Sequence, residues 1–135
     1  MGFAFEEGGQ ELDIKTFYFL IKLMGLRDQL RMNHWQTKSY AEHKMTDDLM
    51  ESLTEFIDTI GEIALGIFGR PNINTVSNEI SDIALVSSSN VINQLDSFTK
   101  EMLEEYKITE HESMIATLGE LDATVKKFKF LCTLD

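Results

Sequence analysis

The sequence predicts an all-α domain built from four long helices. Three observations carry that expectation. Apolar residues recur three and four apart over most of the 135 residues. There is one proline, Pro71, and the glycines are scattered. Helix-start and helix-stop signals divide the chain into four helical stretches. The length allows one domain with a real core but not two. An apolar content of 43% argues against disorder.

Residues 1–10 hold three glycines with Glu6 and Glu7 and read as a short acidic tail, leaving residues 11–135 as the domain. From about Glu11 the pattern turns helical. Leu12, Phe19, Ile21, Leu23, Leu26, Leu30 and Trp35 form a wide apolar surface, and this first helix is expected to end near Gln36. Thr37-Lys38-Ser39 is a short connection. The second helix opens with a capping box, Ser39-Tyr40-Ala41-Glu42. There the Ser39 hydroxyl accepts from the Glu42 amide and the Glu42 carboxylate reaches back. Its apolar face carries Met45, Leu49, Leu53, Phe56, Ile60, Ile63 and Ile67, and Gly69-Arg70-Pro71 stops it.

Residues 72–90 are polar with an apolar patch at Val76, Ile80 and Ile83, as expected of a crossover carrying a short helix. Serines 87–89 and Asn90 offer N-caps for a third helix over about 91–106. Thr109-Glu110-His111-Glu112 reads as a second capping box, opening a fourth helix to about Leu131 with a stripe of Met114, Leu118, Leu121, Val125 and Phe128. The long middle connection lets the second and third helices run in the same direction. Four long helices with one long crossover make a ferritin-like four-helix bundle topology.

The formal net charge is −11. An acidic surface repels phosphates, so DNA binding is not expected, whereas cations are attracted. Cys132 is the only cysteine, which excludes an internal disulfide and any Cys-based zinc or iron–sulfur site within one chain. No apolar run is long enough to cross a bilayer, and Glu6 and Glu7 stand where a secretory signal needs positive charge. The expected location is a reducing cytoplasm.

Five side chains of metal-ligand type follow one another at helical spacing: His34, His43, Asp47, Asp58 and Glu62. His43 and Asp47 are one turn apart, as are Asp58 and Glu62. On one continuous helix, His43 and Asp58 stand about 22 Å apart, a gap no ion spans. At about 100° per residue, however, His43, Asp47, Asp58 and Glu62 share an arc of about 100°. A two-fold axis near Leu53 brings the first pair of one copy beside the second pair of an antiparallel copy. The spacing predicts a metal site between subunits, made twice per dimer. Imidazole with carboxylate suits Fe²⁺, Mn²⁺ or Zn²⁺, and carboxylates stabilise Fe³⁺ and so favour oxidation of Fe²⁺. The Glu-x-x-His repeat of intrachain di-iron bundles does not occur.

The run Asn33-His34-Trp35, then Glu42-His43, Asp47, Asp58, Glu62 and Gly69-Arg70-Pro71, resembles the Dps family of miniferritins, over roughly residues 11–131. The resemblance implies a ferroxidase that oxidises Fe²⁺ with hydrogen peroxide or O₂ at a dimer-interface di-iron site. Carried over, His34, His43, Asp47, Asp58 and Glu62 are both the ligands and the catalytic residues. Asp58 and Glu62 take one iron with the partner's His34, while His43 and Asp47 hold or relay the second. A dodecameric shell built from dimers and storing ferric iron is also implied. Two other expectations stand beside it. One is a catalytically inert cage of the same fold. The other is a DNA-protecting protein, disfavoured because residues 1–13 contain no Lys or Arg.

Blander explanations cover several of the same residues. An i,i+4 pair such as His43 with Asp47 is common on a solvated helix face, and Asp48, Glu51 and Glu55 read as surface carboxylates. Trp35 is as well explained by packing at a dimer contact as by intercepting oxidising equivalents. Met32, Met45, Met50, Met102 and Met114 are core filler. Glu104, Glu105, Glu110, His111 and Glu112 cluster at the turn into the fourth helix, where they either line an acidic pore or simply cap and solvate that turn.

Overall fold

The computed structural model describes residues 11–71 and 86–134. Four helices fill them: α1 (Leu12–Gln36), α2 (Tyr40–Phe68), α3 (Ser88–Lys107) and α4 (Glu112–Leu131). No strand occurs among the described residues. The expected short helix around Val76, Ile80 and Ile83 and the tail at residues 1–10 lie outside them.

The local signals act much as the sequence suggests, with three differences. The Ser39 side chain accepts from the Glu42 amide at 3.2 Å, which starts α2. The Glu42 carboxylate, however, does not reach back to the Ser39 amide. That amide donates to Thr37 Oγ1 at 3.1 Å. The carboxylate accepts instead from the hydroxyls of Thr37 and Ser88, the latter at 2.7 Å. Gly69 ends α2 at φ 79°, a conformation that costs glycine nothing, and its amide donates to the Leu65 carbonyl at 2.9 Å. Ser87 caps α3 by accepting from the Asn90 amide at 3.2 Å, so α3 begins three residues before Val91. The second capping box does not form. The Thr109 hydroxyl donates to the Tyr106 carbonyl at 2.6 Å and closes α3, and α4 starts only at Glu112.

α1 packs against α2 and α3, and α4 packs against the same two. One apolar core joins all four, with Leu23, Leu53, Leu95 and Leu121 fully buried. The α4 stripe of Met114, Leu118, Leu121, Val125 and Phe128 is buried as expected. Trp35 is not core: its side chain is 66% exposed, because it falls on the outer side of the last turn of α1.

Polar contacts fix the direction of α3. Beside the end of α1, the Asn33 amide donates to the Val86 carbonyl at 2.9 Å and to Ser88 Oγ at 3.2 Å. Gln29 donates to the same carbonyl at 3.3 Å. At the opposite end, the Tyr106 hydroxyl meets Thr16, and Lys15 pairs with Glu105 at 3.1 Å. α3 therefore runs antiparallel to α1 and in the same direction as α2. No helix of the described residues is long and apolar enough to cross a membrane.

Candidate metal centre

α2 is a single unbroken helix of 29 residues, and that determines what its ligand-type side chains can do. Its inner face buries Leu49, Leu53, Ile60 and Ala64. His43, Asp47, Asp58 and Glu62 all fall on the opposite face, exposed. Asp47 and Asp58 are eleven residues apart, about 16 Å along the axis. Within one chain these pairs never meet. Among the described residues, no group of three or more His, Cys, Asp or Glu side chains is placed to hold a metal ion.

One pair the sequence did not foresee does meet. The His34 and His43 rings stack with centroids 3.8 Å apart and planes inclined by 20°. His34 Nδ1 lies 2.9 Å from the His43 carbonyl oxygen, and His43 Nδ1 lies 3.0 Å from the His34 carbonyl oxygen. A carbonyl only accepts, so each Nδ1 carries a proton and donates it. In the neutral ring, Nε2 then keeps its lone pair, the state in which imidazole binds a metal. Thr46 Oγ1 lies 3.2 Å from His34 Nδ1 and itself donates to the Glu42 carbonyl at 2.8 Å. The short Thr37–Ser39 turn folds the end of α1 back onto the start of α2, so the stack is a direct consequence of loop length. His34 is half-buried and His43 exposed.

Beside this face, Lys44 donates to Asp48 at 3.2 Å, and that bond with the Asp48 charge raises the Lys44 pKa. Asp48, Glu51 and Glu55 line a groove of about 350 Å³ between α2 and α4, opposite Thr124 and Lys127. Cys132 sits half-buried at the end of α4. Burial, and then the nearby Glu42 charge, push its thiol up, so it stays protonated and is a poor metal ligand. His111 packs edge-on against Phe68 and Tyr106, at 6.0 and 6.2 Å between centroids, and is bound into the helix-end packing.

Fold and face together define an all-helical protein with an acidic, ligand-rich outer face on its longest helix. The chain belongs to the family of unknown function DUF5856, whose model matches residues 34–131. It is similar to an uncharacterized 14.6 kDa protein from the mobD–ri intergenic region of Enterobacteria phage T4. The two are 34% identical over 124 residues, which cover 90% of each chain. No solved structure matches it. These findings correct the assignment drawn from the motif residues: the chain is not placed in the Dps family. The physical reason is plain in the structure. Four of the five residues quoted for that likeness are exposed positions on one amphipathic helix, a pattern that a long helix of another family can also carry.

Proposed function

We propose that this protein binds divalent metal between two copies of itself and oxidises Fe²⁺ there. One observation carries the reading. The exposed face of α2 presents His43 and Asp47 near one end and Asp58 and Glu62 near the other, on a helix too straight and long to join them. Only a second chain, antiparallel to the first, can complete such a set. The stacked imidazoles support it, because both Nδ1 atoms are committed to carbonyls and both Nε2 atoms are left as neutral donors to a metal. In this reading His34, His43 and Asp47 of one chain face Asp58 and Glu62 of the partner subunit. The same direction of α2 and α3 supports a ferritin-like order of the four helices. A reducing cytoplasm suits both the single thiol and the ferrous substrate.

The chemistry is two one-electron oxidations. Two Fe²⁺ ions each give one electron to hydrogen peroxide, the O–O bond breaks, and two protons are taken up to give two waters and two Fe³⁺. The carboxylates of Asp47, Asp58 and Glu62 stabilise the ferric product more than the ferrous substrate. Storage of that product in a closed shell of dimers extends the same reading.

The test is anaerobic loading with Fe²⁺ and one addition of peroxide, followed by near-ultraviolet ferric absorbance. Wild type should oxidise at least tenfold faster than the Asp58→Ala/Glu62→Ala variant, with the helical circular dichroism of the two superimposable. Equal, slow traces would remove the oxidase and leave an inert helical assembly.

A further inference from the structure

Resting on the inter-subunit reading above, we infer that the cation is also the switch for assembly: the α2 faces of two copies pair when a divalent ion is bound and separate when it is removed. The argument starts from what the face carries. Asp47, Glu51, Glu55, Asp58 and Glu62 are exposed along it, against Lys44, which is already held by Asp48 at 3.2 Å, Arg27 of α1, which donates to Thr54 at 3.4 Å, and Lys127 of α4 across the groove. Its apolar members are Tyr40, 80% exposed at one end, and Leu65, 41% exposed at the other.

A two-fold axis midway between residues 52 and 53 acts on all of these at once. It sets Tyr40 level with Leu65 of the partner subunit and His43 level with Glu62 of the partner subunit. Lys44 falls within a turn of Asp58 and Glu62 of the partner subunit. The two ends of the face are therefore complementary to a second copy of this chain in one register, apolar to apolar and base to acid. This self-complementarity commits the face to that occupant.

The middle of the same register is repulsive on balance, since its carboxylates outnumber the Arg27 guanidinium beside Thr54. Asp47 comes level with Asp58 of the partner subunit, and Glu51 and Glu55 flank the axis from both chains. Carboxylates brought level across the axis repel one another unless a counter-charge lies between them. Two Tyr–Leu contacts fall well short of the roughly 1,200–2,000 Å² of a stable interface and cannot offset that repulsion. A divalent ion between Asp47 and Asp58 of the partner subunit reverses the sign of the central contact, twice per dimer. Because the ion binds the dimer and not the separate chains, ion concentration and dimer population are linked reciprocally.

The experiment is sedimentation velocity on the full chain, after chelation and then with Mn²⁺, which has the charge and ligand preference of Fe²⁺ without its oxidation. Mn²⁺ occupancy is read separately by electron paramagnetic resonance. The expected result is a monomer after chelation and a dimer with Mn²⁺, with at least a tenfold tightening. Asp58→Asn/Glu62→Gln should gain nothing from Mn²⁺, because it lacks the carboxylates that complete the ion's site. A wild-type dimer equally strong with and without bound Mn²⁺ would overturn the switch while leaving the inter-subunit site intact. Mn²⁺ bound by a chain that stays monomeric, or no Mn²⁺ bound at all, would overturn the site itself.

Discussion

The contact between Thr16 and Tyr106 closes one end of the helix assembly, and its two partners should respond unequally to removal. Both side chains are fully buried. The Thr16 hydroxyl donates to the Leu12 carbonyl at 2.7 Å, so its proton is committed and Tyr106 must be the donor in the pair. Tyr106→Phe removes that donor and strands nothing, since Thr16 keeps its own bond to Leu12. The expected loss is about 0.5–1.5 kcal/mol. Thr16→Val leaves the Tyr106 hydroxyl buried without an acceptor, so the loss should be larger, about 1–3 kcal/mol. The Leu12 carbonyl keeps its helical bond from the Thr16 amide in either case. The double variant should be no worse than Thr16→Val alone and closer to Tyr106→Phe, which is a favourable coupling in a double-mutant cycle. Urea unfolding followed by circular dichroism measures all four proteins, and 1 kcal/mol corresponds to roughly 4 °C in Tm for a domain of this size. Burial pushes the Tyr106 phenol above its ordinary value, and the Asp13 charge pushes it further the same way. Its protonated form is thus favoured by folding. That contribution is complete below the unfolded value near 10 and is lost as pH climbs from about 10 through the folded value. A Tyr106→Phe variant at least as destabilised as Thr16→Val would refute the donor assignment, and one whose alkaline unfolding profile matches wild type would refute the raised phenol.

Two other perturbations probe the remaining helix contacts. Asn33→Ala should cost about 1–3 kcal/mol, because it removes the amide bonds to the Val86 carbonyl and to Ser88 that tie the start of α3 to α1; an unfolding midpoint unchanged within error would mean that this junction does not hold α3 in place. Asp96, on α3, takes bonds from Lys129 at 3.1 Å and Lys126 at 3.4 Å on α4. Burial pushes its carboxyl up, but the two ammonium groups outweigh burial and leave it below the ordinary value. With its folded pKa depressed, its contribution is present above the unfolded value near 3.9 and lost as pH falls through the folded one. Since both lysines are about half exposed, the effect is at most about 1 kcal/mol. Asp96→Asn should therefore flatten the acid limb of the stability profile below about pH 4, and an unaltered limb would discount the cluster.

Much of the helical layout was legible because it is written locally. Periodicity, the Ser39 cap and Gly69 place α2 to the residue, and the α4 stripe reads directly as core. What escaped are long-range polar contacts, which leave no periodic trace. Gln29 looks like an ordinary helix-surface residue, and Glu42 and Ser88 like local caps, until α3 is brought against α1. Thr109 misled for a related reason. The same Thr-x-x-Glu spacing suits an N-cap, but here the hydroxyl satisfies the last turn of α3, whose carbonyls compete for it. Trp35, which the helical pattern places with the apolar surface of α1, is turned to solvent by its position in the last turn. The His34–His43 stack is likewise hidden in the sequence, because its two residues lie on separate helices and meet only across a three-residue turn.

The candidate site differs in kind from these. Its residues were found by spacing, and their exposure on one face agrees with that spacing, yet the same exposure is what a merely solvated helix would show. The chain's family has no known function, so no family role decides between the two explanations. The weight falls on a physical asymmetry. A solvated face has no reason to place its few apolar residues at mirror positions, and Tyr40 and Leu65 stand in the register that also aligns His43 with Glu62 and Asp47 with Asp58. A face selected only for solubility would, in addition, keep the chains apart at every cation concentration. A face built to hold an ion between copies must change their association state when the ion is supplied, and so the association state, more than any property of the single chain, separates the two explanations.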